Sequence, residues 1–431
     1  MNVLGYYSPY LPYTFIPLVL VGLYFYFEEF LKQRQVRWLW WIFVFIVVAS
    51  IGWYAGYNQG WFDFFKGYYH AGRKLFRNPD VLYDEYCYGY VNFPLLAYIF
   101  VPLSELPKEI AGNIFFVIGY LSLIPFGYLL IKSTHLTSWK MWLMIAILAL
   151  NGPLDYSIKM GNTTHMIALT MLVAIFCYQR GREWLAGILL GINGLIKIPL
   201  IIPAGYFLVR RRWKVVGGGI LVAGLVLTAS LLIIPYSLNY QWVNSCILGN
   251  AGNPMAAFNN QSVVGFLARA IIPESHFFEW IPITPPPAFK LYSIIALSVI
   301  ILPTIIVIFY KWLSNRSSSE TTLEFSIVLV CSILISPISW THYFAFLLIP
   351  TAYYLGGEFG QNPGKWHNLL FGVSLLLLSF PLNLTIKLFE QSNQSVFLSI
   401  HFFGGLLFYL VLLFVWAKEK FSFKQDRLLA Q

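Results

Sequence analysis

Charge is scarce in this chain. Asp, Glu, Lys and Arg make up only 11% of its 431 residues, too few to cover the surface of a soluble domain of that length. Cysteine is scarce too: Cys87, Cys177, Cys246 and Cys331 are all there are, at spacings that suit no metal site. Cys177 and Cys331 fall inside apolar runs and read as core packing. Cys87 and Cys246 can share one aqueous side, and the sequence leaves a disulfide between them open. No carboxylate cluster with metal spacing, such as a D-x-D, is present, so no metal is expected in catalysis and no cofactor is called for. No basic stretch precedes the first apolar segment, so a cleavable signal peptide is not expected. The apolar stretches lack the alternation of a membrane barrel.

What fills the chain instead is apolar: 58% hydrophobic residues, 19% aromatic, mean hydropathy +0.67. Continuous apolar runs indicate an all-α polytopic membrane protein. Candidate segments are 12–28, 38–55, 110–131, 139–151, 164–178, 185–196, 199–209, 214–235, 288–310, 323–339, 343–356, 367–383 and 397–416. Several are short, giving about 11–13 membrane segments in a single integral domain over 1–431. The net charge of +10 suits nucleic acid only if its placement is ignored. Under strict alternation, 18 of the 28 Lys and Arg fall on one side, in "FLKQRQVR", "YQRGREW", "LVRRRWK", "YKWLSNR", the tail at 417–431 and single lysines. Nine fall on the other side and Lys197 lies within the membrane. The rich side should be cytoplasmic. The other side then holds a first large loop at 56–109, a second at 236–287, and the short segments 152–163 and 384–396.

Two stretches resist simple alternation. "FPLLAYIFVPLSELP" (93–107) is apolar but broken by three prolines, and reads as a helix lying at the outer interface. The hairpin 184–213 has two half-height arms meeting at "IKIP". Lys197 at that tip either snorkels to water or meets an anion such as a lipid phosphate.

The outer loops carry polar constellations. "LDYSIKMGNTTH" (154–165) offers Asn162 and His165, as cap and interfacial histidine or as ligand groups. Asn259, Asn260, Gln261 and Ser262 cluster ahead of Arg269. Amides both donate and accept, which suits sugar hydroxyls, although turns use them as well. "LISPISWTHYFAFLLIP" (334–350) sets Trp340 and His342 where a span breaks. In "GWFDFFKGYYHAGRKLF" (60–76), Asp63 sits among aromatics at the water edge of a span. Burial there raises a carboxyl toward the range of a useful base. It can equally cap an interfacial helix.

Taken in order, these stretches resemble the C-type fold of membrane glycosyltransferases, and more closely glycosyltransferase family 87, the polyprenyl-phosphate-mannose-dependent alpha-mannosyltransferases. "DFFKGYYHAGRKLFRNPDVLYD" is similar to that family's D-x-x-x-Y-Y-x-A followed by G-x-x-L-Y. "YVNFPLLAYIFVPLSELP" resembles its Y-P-P-L-x-A-L-x-x-x-P-L, and "MGNTTHMIAL" its G-Q-x-N-x-L. "GLIKIPLIIP" resembles its K-x-x-P hairpin, "NNQSVVGFLAR" its G-N-x-S-L-x-G-x-x-x-R, and "SPISWTHYF" its S-P-x-S-W-x-H-H. The likeness covers about residues 50–350. The chain departs from the pattern at four places: one extra residue between Asp63 and Tyr68–Tyr69, Phe93 in a double proline, Asn162 or a nearby threonine for glutamine, and Tyr343 for a second histidine.

The resemblance implies an inverting transfer of a sugar, mannose by family, from a polyprenyl-phosphate donor to a lipid or glycan hydroxyl. It implies an enzyme of the plasma membrane, among its lipids, with the site on the extracytoplasmic face and no nucleic-acid partner. Asp63 is then the general base, with His342 also catalytic. Lys197, Arg269, Asn260, Gln261, Asn162, His165, Trp340 and Tyr69 are candidates for donor phosphate and sugar. The competing class is a lipid or lipid-linked sugar transporter, which shares broken helices and an intramembrane lysine. Against it stand the absence of a two-half repeat and the crowding of polar residues at one face.

Overall fold

The computed structural model describes the backbone of residues 11–56, 61–83, 87, 89–249, 253–311, 313–314, 316–360 and 364–429, and side chains between residues 14 and 421. Among these residues the structure is helical, without a strand; Asn260 and Trp340 form an isolated bridge. Six helices are long and apolar enough to cross a membrane: Arg37–Gly56, Lys108–Ser133, Trp213–Ile233, Pro287–Phe309, Ser318–Ile335 and Ser395–Phe421. Two bent pairs raise the number to eight: Ser138–Ala149 with Gly152–Lys159 at 47°, and Lys365–Leu378 with Leu382–Ser392 at 84°. The chain is an all-α polytopic membrane protein.

The remaining apolar segments of the sequence are shorter helices. Thr164–Gln179 has 16 residues, about 24 Å at 1.5 Å per residue, short of a hydrocarbon core of about 30 Å. The 343–356 segment is no single helix: a 3₁₀ stretch, Thr341–Leu347, runs into Leu348–Gly356. Pro94–Phe100 is also 3₁₀ and continues as one α turn, Val101–Ser104. Proline withholds a backbone donor and fixes φ, which keeps this piece short. A methyl group at Gly72 would lie 2.7 Å from the Phe100 carbonyl carbon, so the helix His70–Arg77 rests on it backbone to backbone.

Burial separates the spans. In Ser318–Ile335, 78% of the apolar window is inside the protein, against 11% in Trp213–Ile233. The first is the centre of the bundle, and the second presents Ile220, Leu225 and Leu232 outward, as a lipid-facing helix does. The half-height arm Glu183–Ile196 packs on Trp213–Ile233 through small residues. A Cβ at Gly187 would sit 2.0 Å from the Val215 carbonyl oxygen, so only glycine permits that approach.

The polar segments gather at two ends. At one end, Glu324 receives Tyr206 Oη at 2.7 Å and pairs with Arg210 at 2.5 Å and Arg316 at 3.0 Å. Lys140 donates to the Leu355 carbonyl at 2.8 Å, and Lys420 pairs with Glu320. These are the basic segments of the sequence. At the other end, the described parts of 61–107, 151–163, 236–287, 336–343 and 380–402 are bonded to one another. Examples are Asp63 N–H to the Met160 carbonyl, Trp242 Nε1 to the Val91 carbonyl, and Gln261 Nε2 to the Leu398 carbonyl. A Cys87–Cys246 disulfide closes the first large loop on the second.

Candidate functional site

Asp63 reaches its place through a turn that only glycine allows. Gly161, at φ +63°, follows Gly152–Lys159, and a Cβ there would meet Phe64 Cβ at 2.9 Å and Trp61 Cβ at 3.0 Å. That turn brings Met160 to the Asp63 N–H and sets Asn162 beside the carboxylate. Asp63 directly precedes a π-helical turn, Phe64–Tyr69, yet its side chain caps nothing. It accepts from Asn162 Nδ2 at 2.7 Å instead.

The orientation of Asn162 is over-determined. Its Oδ1 takes three donors: Thr164 N–H at 3.0 Å, Thr164 Oγ1 at 2.8 Å and Lys197 Nζ at 3.1 Å. An amide nitrogen cannot accept, so Nδ2 must face Asp63. Lys197 sits at the break between Glu183–Ile196 and the 3₁₀ turn Ile198–Leu200. It is 5% exposed, so it does not snorkel to water; its ammonium lies 5.2 Å from the centre of the Tyr343 ring. Its single hydrogen bond among the described residues leaves two N–H groups for a ligand.

These groups line one cavity enclosing about 980 Å³ of space open to solvent. Asp63, Asn162, Lys197, Trp340 and His342 all border it. His342 is 4% exposed, and neither ring nitrogen has a hydrogen-bond partner among the described residues. A buried imidazole left so is costly unless something enters to meet it. Tyr156 stacks beside it, ring centres 6.1 Å apart. Opposite, Trp280 lies over Phe62 at 6.3 Å, and its Nε1 donates to Asn259 Oδ1 at 3.0 Å.

Burial drives the Asp63 carboxyl above the ordinary aspartate range; the Asn162 bond, then the Lys197 and Lys66 charges, pull it partway back.

The other sequence candidates lie behind the wall. Asn260 Oδ1 accepts from Ser339 N–H at 2.9 Å, its Nδ2 donates to the Met255 carbonyl at 3.0 Å, and Gln261 N–H meets the Ser339 carbonyl at 2.6 Å. Gln261 also bonds Phe258, Leu398 and Phe402 main chain. Together they hold the strand-like stretch that presents Trp340 and His342. Arg269 is buried, spending its guanidinium on the Ala257 and Asn260 carbonyls, both at 2.7 Å, and on Ser399. His165 Nδ1 is 3.0 Å from Ser157 Oγ in the core, and Tyr69 donates to the Leu106 carbonyl at 2.9 Å. None of these five borders the cavity. Residues that do, and that the sequence did not offer as candidates, include Lys66, Tyr156 and Trp280, together with Tyr68 of the tyrosine pair. Lys66 stands inside the quoted Asp63 stretch and Tyr156 inside 154–165; Trp280 follows no readable spacing.

Known proteins bear on this geometry. The model of the family described as "Glycosyltransferase family 87" matches residues 90–337. A polyprenol-phosphate-mannose-dependent alpha-(1-2)-phosphatidylinositol pentamannoside mannosyltransferase of Mycobacterium tuberculosis (strain CDC 1551 / Oshkosh) is 25% identical over 317 residues, covering 69% of this chain and 67% of its own. A polyprenol-phosphate-mannose-dependent alpha-(1-2)-phosphatidylinositol mannoside mannosyltransferase of Mycobacterium tuberculosis (strain ATCC 25618 / H37Rv) is 23% identical over 355 residues, 73% of this chain and 75% of its own. An alpha-(1->3)-arabinofuranosyltransferase of Corynebacterium glutamicum is 23% identical over 214 residues, 47% and 49% of the two chains. No solved structure is a significant match. The family match covers more than half of the chain and includes Asn162, Lys197 and the bridge residue Asn260, and on it the chain belongs to glycosyltransferase family 87.

Proposed function

We propose that the chain is an inverting transferase that moves a hexose, mannose in the first instance, from a polyprenyl phosphate to a glycolipid or glycan hydroxyl. The observation that carries this is the bonded chain Asp63–Asn162–Lys197 facing the unpartnered His342 across one cavity. The donors named for two relatives supply the polyprenyl-phosphate chemistry.

In the proposed reaction the Asp63 carboxylate takes the proton of the acceptor hydroxyl. The acceptor oxygen bonds to the anomeric carbon as the carbon–oxygen bond to phosphate breaks. The bonding pair leaves with polyprenyl phosphate, whose growing charge meets the free N–H groups of Lys197 and a ring N–H of His342. A single displacement turns a β-linked donor into an α product. Asp63 is the only carboxylate among the described residues lining the cavity, and in the proposed reaction Lys197 and His342 supply the charge and donors that the leaving phosphate needs, with no step assigned to a metal. Trp280, Phe62 and Trp340 offer flat apolar faces to sugar rings.

We assign the cavity to the extracytoplasmic face of the plasma membrane. Two observations support this: the opposite end collects the basic segments, and the Cys87–Cys246 disulfide beside the cavity suits an oxidising compartment. Glu274→Cys and Lys214→Cys, both at exposed positions, should label with an impermeant thiol reagent from opposite sides. Labelling from one side overturns the assignment of the face.

The reaction itself is tested with purified protein, a panel of radiolabelled polyprenyl-phosphate sugars and a membrane lipid extract. Transfer of label from one of these donors to an α-linked product is expected. No transfer from any of them, or a β product, overturns the reading.

A further inference from the structure

A second cavity lies at the basic end, far along the bundle from Asp63. It holds about 590 Å³ of space open to solvent and is lined by Arg210, Arg211, Arg212 and Arg316 with Leu313, Ser314 and Thr321. No carboxylate is among the described residues that line it. Glu324, the buried acid nearby, is engaged behind the wall by Tyr206, Arg210 and Arg316, and Arg212 faces Glu183 only at 3.9 Å.

Arg210 is the telling residue. Its side chain is 4% exposed, and its Nη2 is used by Glu324 and the Val307 carbonyl. Its Nε and Nη1 are buried with no partner among the described residues. Two guanidinium donors, desolvated and unmet beside a cavity lined by three further arginines, suit the oxygens of a phosphate. A generic membrane-flanking cluster does not need this: such arginines reach outward to water or headgroups instead of holding unpaired donors inside.

The surroundings bear on the source. Leu208, Trp213, Phe309 and Leu313 are exposed apolar side chains on the helices and loop next to the cavity. A phosphate held there can therefore have an acyl or prenyl chain lying along the protein. We infer that this cavity is a phosphate-binding site, distinct from the transfer site, that takes the phosphate of an anionic lipid headgroup or a free phosphate.

The test uses the full-length protein and two probes. In the first arm, protein in phosphatidylcholine nanodiscs is titrated with phosphatidic acid, and retained lipid is measured by native mass spectrometry. In the second, protein in neutral detergent is titrated with inorganic phosphate, and the melting temperature is followed. Removing Arg210 outright takes a buried partner from Glu324, so the variants are Arg210→Lys, which keeps a cation there but loses the two unmet guanidinium donors, and Arg211→Glu at the cavity rim. Saturable binding of either probe, weakened tenfold or more in both variants while their unliganded melting temperatures stay near the parent's, is the expected result. Binding in the first arm alone names a lipid headgroup as the source, and in the second alone a soluble phosphate. No binding of either probe, or binding unchanged in both variants, overturns the inference.

Discussion

Asn162 and Asp63 stand 99 residues apart in sequence and 2.7 Å apart in space, and the amide between them can point only one way. The carboxylate is thereby given one strong donor and a fixed direction, in surroundings that otherwise favour its neutral form. The first two predictions follow from that balance.

Asp63→Asn keeps the shape and the Asn162 contact but removes the proton acceptor. Turnover should fall about 10³-fold, within the ~10²–10⁴ range for a positioned base, while donor affinity stays within about threefold. Turnover near the parent's rules out Asp63 as the base.

A base works only when ionised, so activity should rise with pH through an acid limb lying above 3.8, the ordinary value for this group. The Asn162 bond favours the charged form, and Asn162→Ala should therefore move the limb to still higher pH. Stability runs the other way. The folded pKa is raised, so the contribution of protonated Asp63 is complete below the unfolded value and is lost as pH rises through the folded one. The melting temperature of Asp63→Asn relative to the parent should accordingly increase as pH rises from 3.8, the ordinary value, through the raised folded one. A pH-independent difference, with an unmoved acid limb, contradicts the burial argument.

Lys197 and His342 should share the leaving phosphate. A charge-assisted bond contributes roughly 1.5–3 kcal/mol, so Lys197→Met and His342→Ala should each weaken donor binding about ten- to 150-fold. The double change should lose less than the sum, because the two groups meet one ligand. Unchanged donor affinity in Lys197→Met leaves the lysine with only its contacts to Asn162 and Tyr343.

Arg269→Ala and Gln261→Ala should act on folding. Each leaves buried carbonyl or N–H groups unmet, at about 1–3 kcal/mol per group, so both should melt lower and yield less folded protein. The fraction that folds should bind donor as the parent does. A folded Arg269→Ala of normal stability that no longer binds donor puts the guanidinium into the phosphate pocket after all.

Sequence pattern carries the helical class, the two-sided charge and the helix break at Lys197 because each is a local property: run length, lysine and arginine counts, a proline after a lysine. It also carries Asp63 and Lys197, since an ionisable residue in apolar surroundings stands out in one dimension. It does not separate Asn162, which faces the cavity, from Asn260 and Gln261, which brace the wall behind it. All three are amides in polar loops, and only the main chain they meet, Ser339 or Leu398 for the latter two, tells them apart. Arg269 is opaque for the same reason. Its partners at Ala257 and Ser399 are carbonyl and hydroxyl oxygens that leave no charge pattern in the sequence. The short helices are a matter of length alone: an apolar run of 16 residues reads as a span until its rise is measured against the bilayer.

The π-helical turn Phe64–Tyr69 bears on the residue spacing of the Asp63 stretch. An ordinary helix that gained one residue after Asp63 would swing everything beyond it by about 100°. A π turn absorbs a single extra residue as a local bulge. The extra position that the likeness to a D-x-x-x-Y-Y pattern counts between Asp63 and Tyr68–Tyr69 falls inside this turn. Asp63 borders the cavity, and Tyr68 Oη meets Thr163 Oγ1 at 3.0 Å. Deleting one residue from 64–67 should convert the turn to plain α-helix and leave both ends in register.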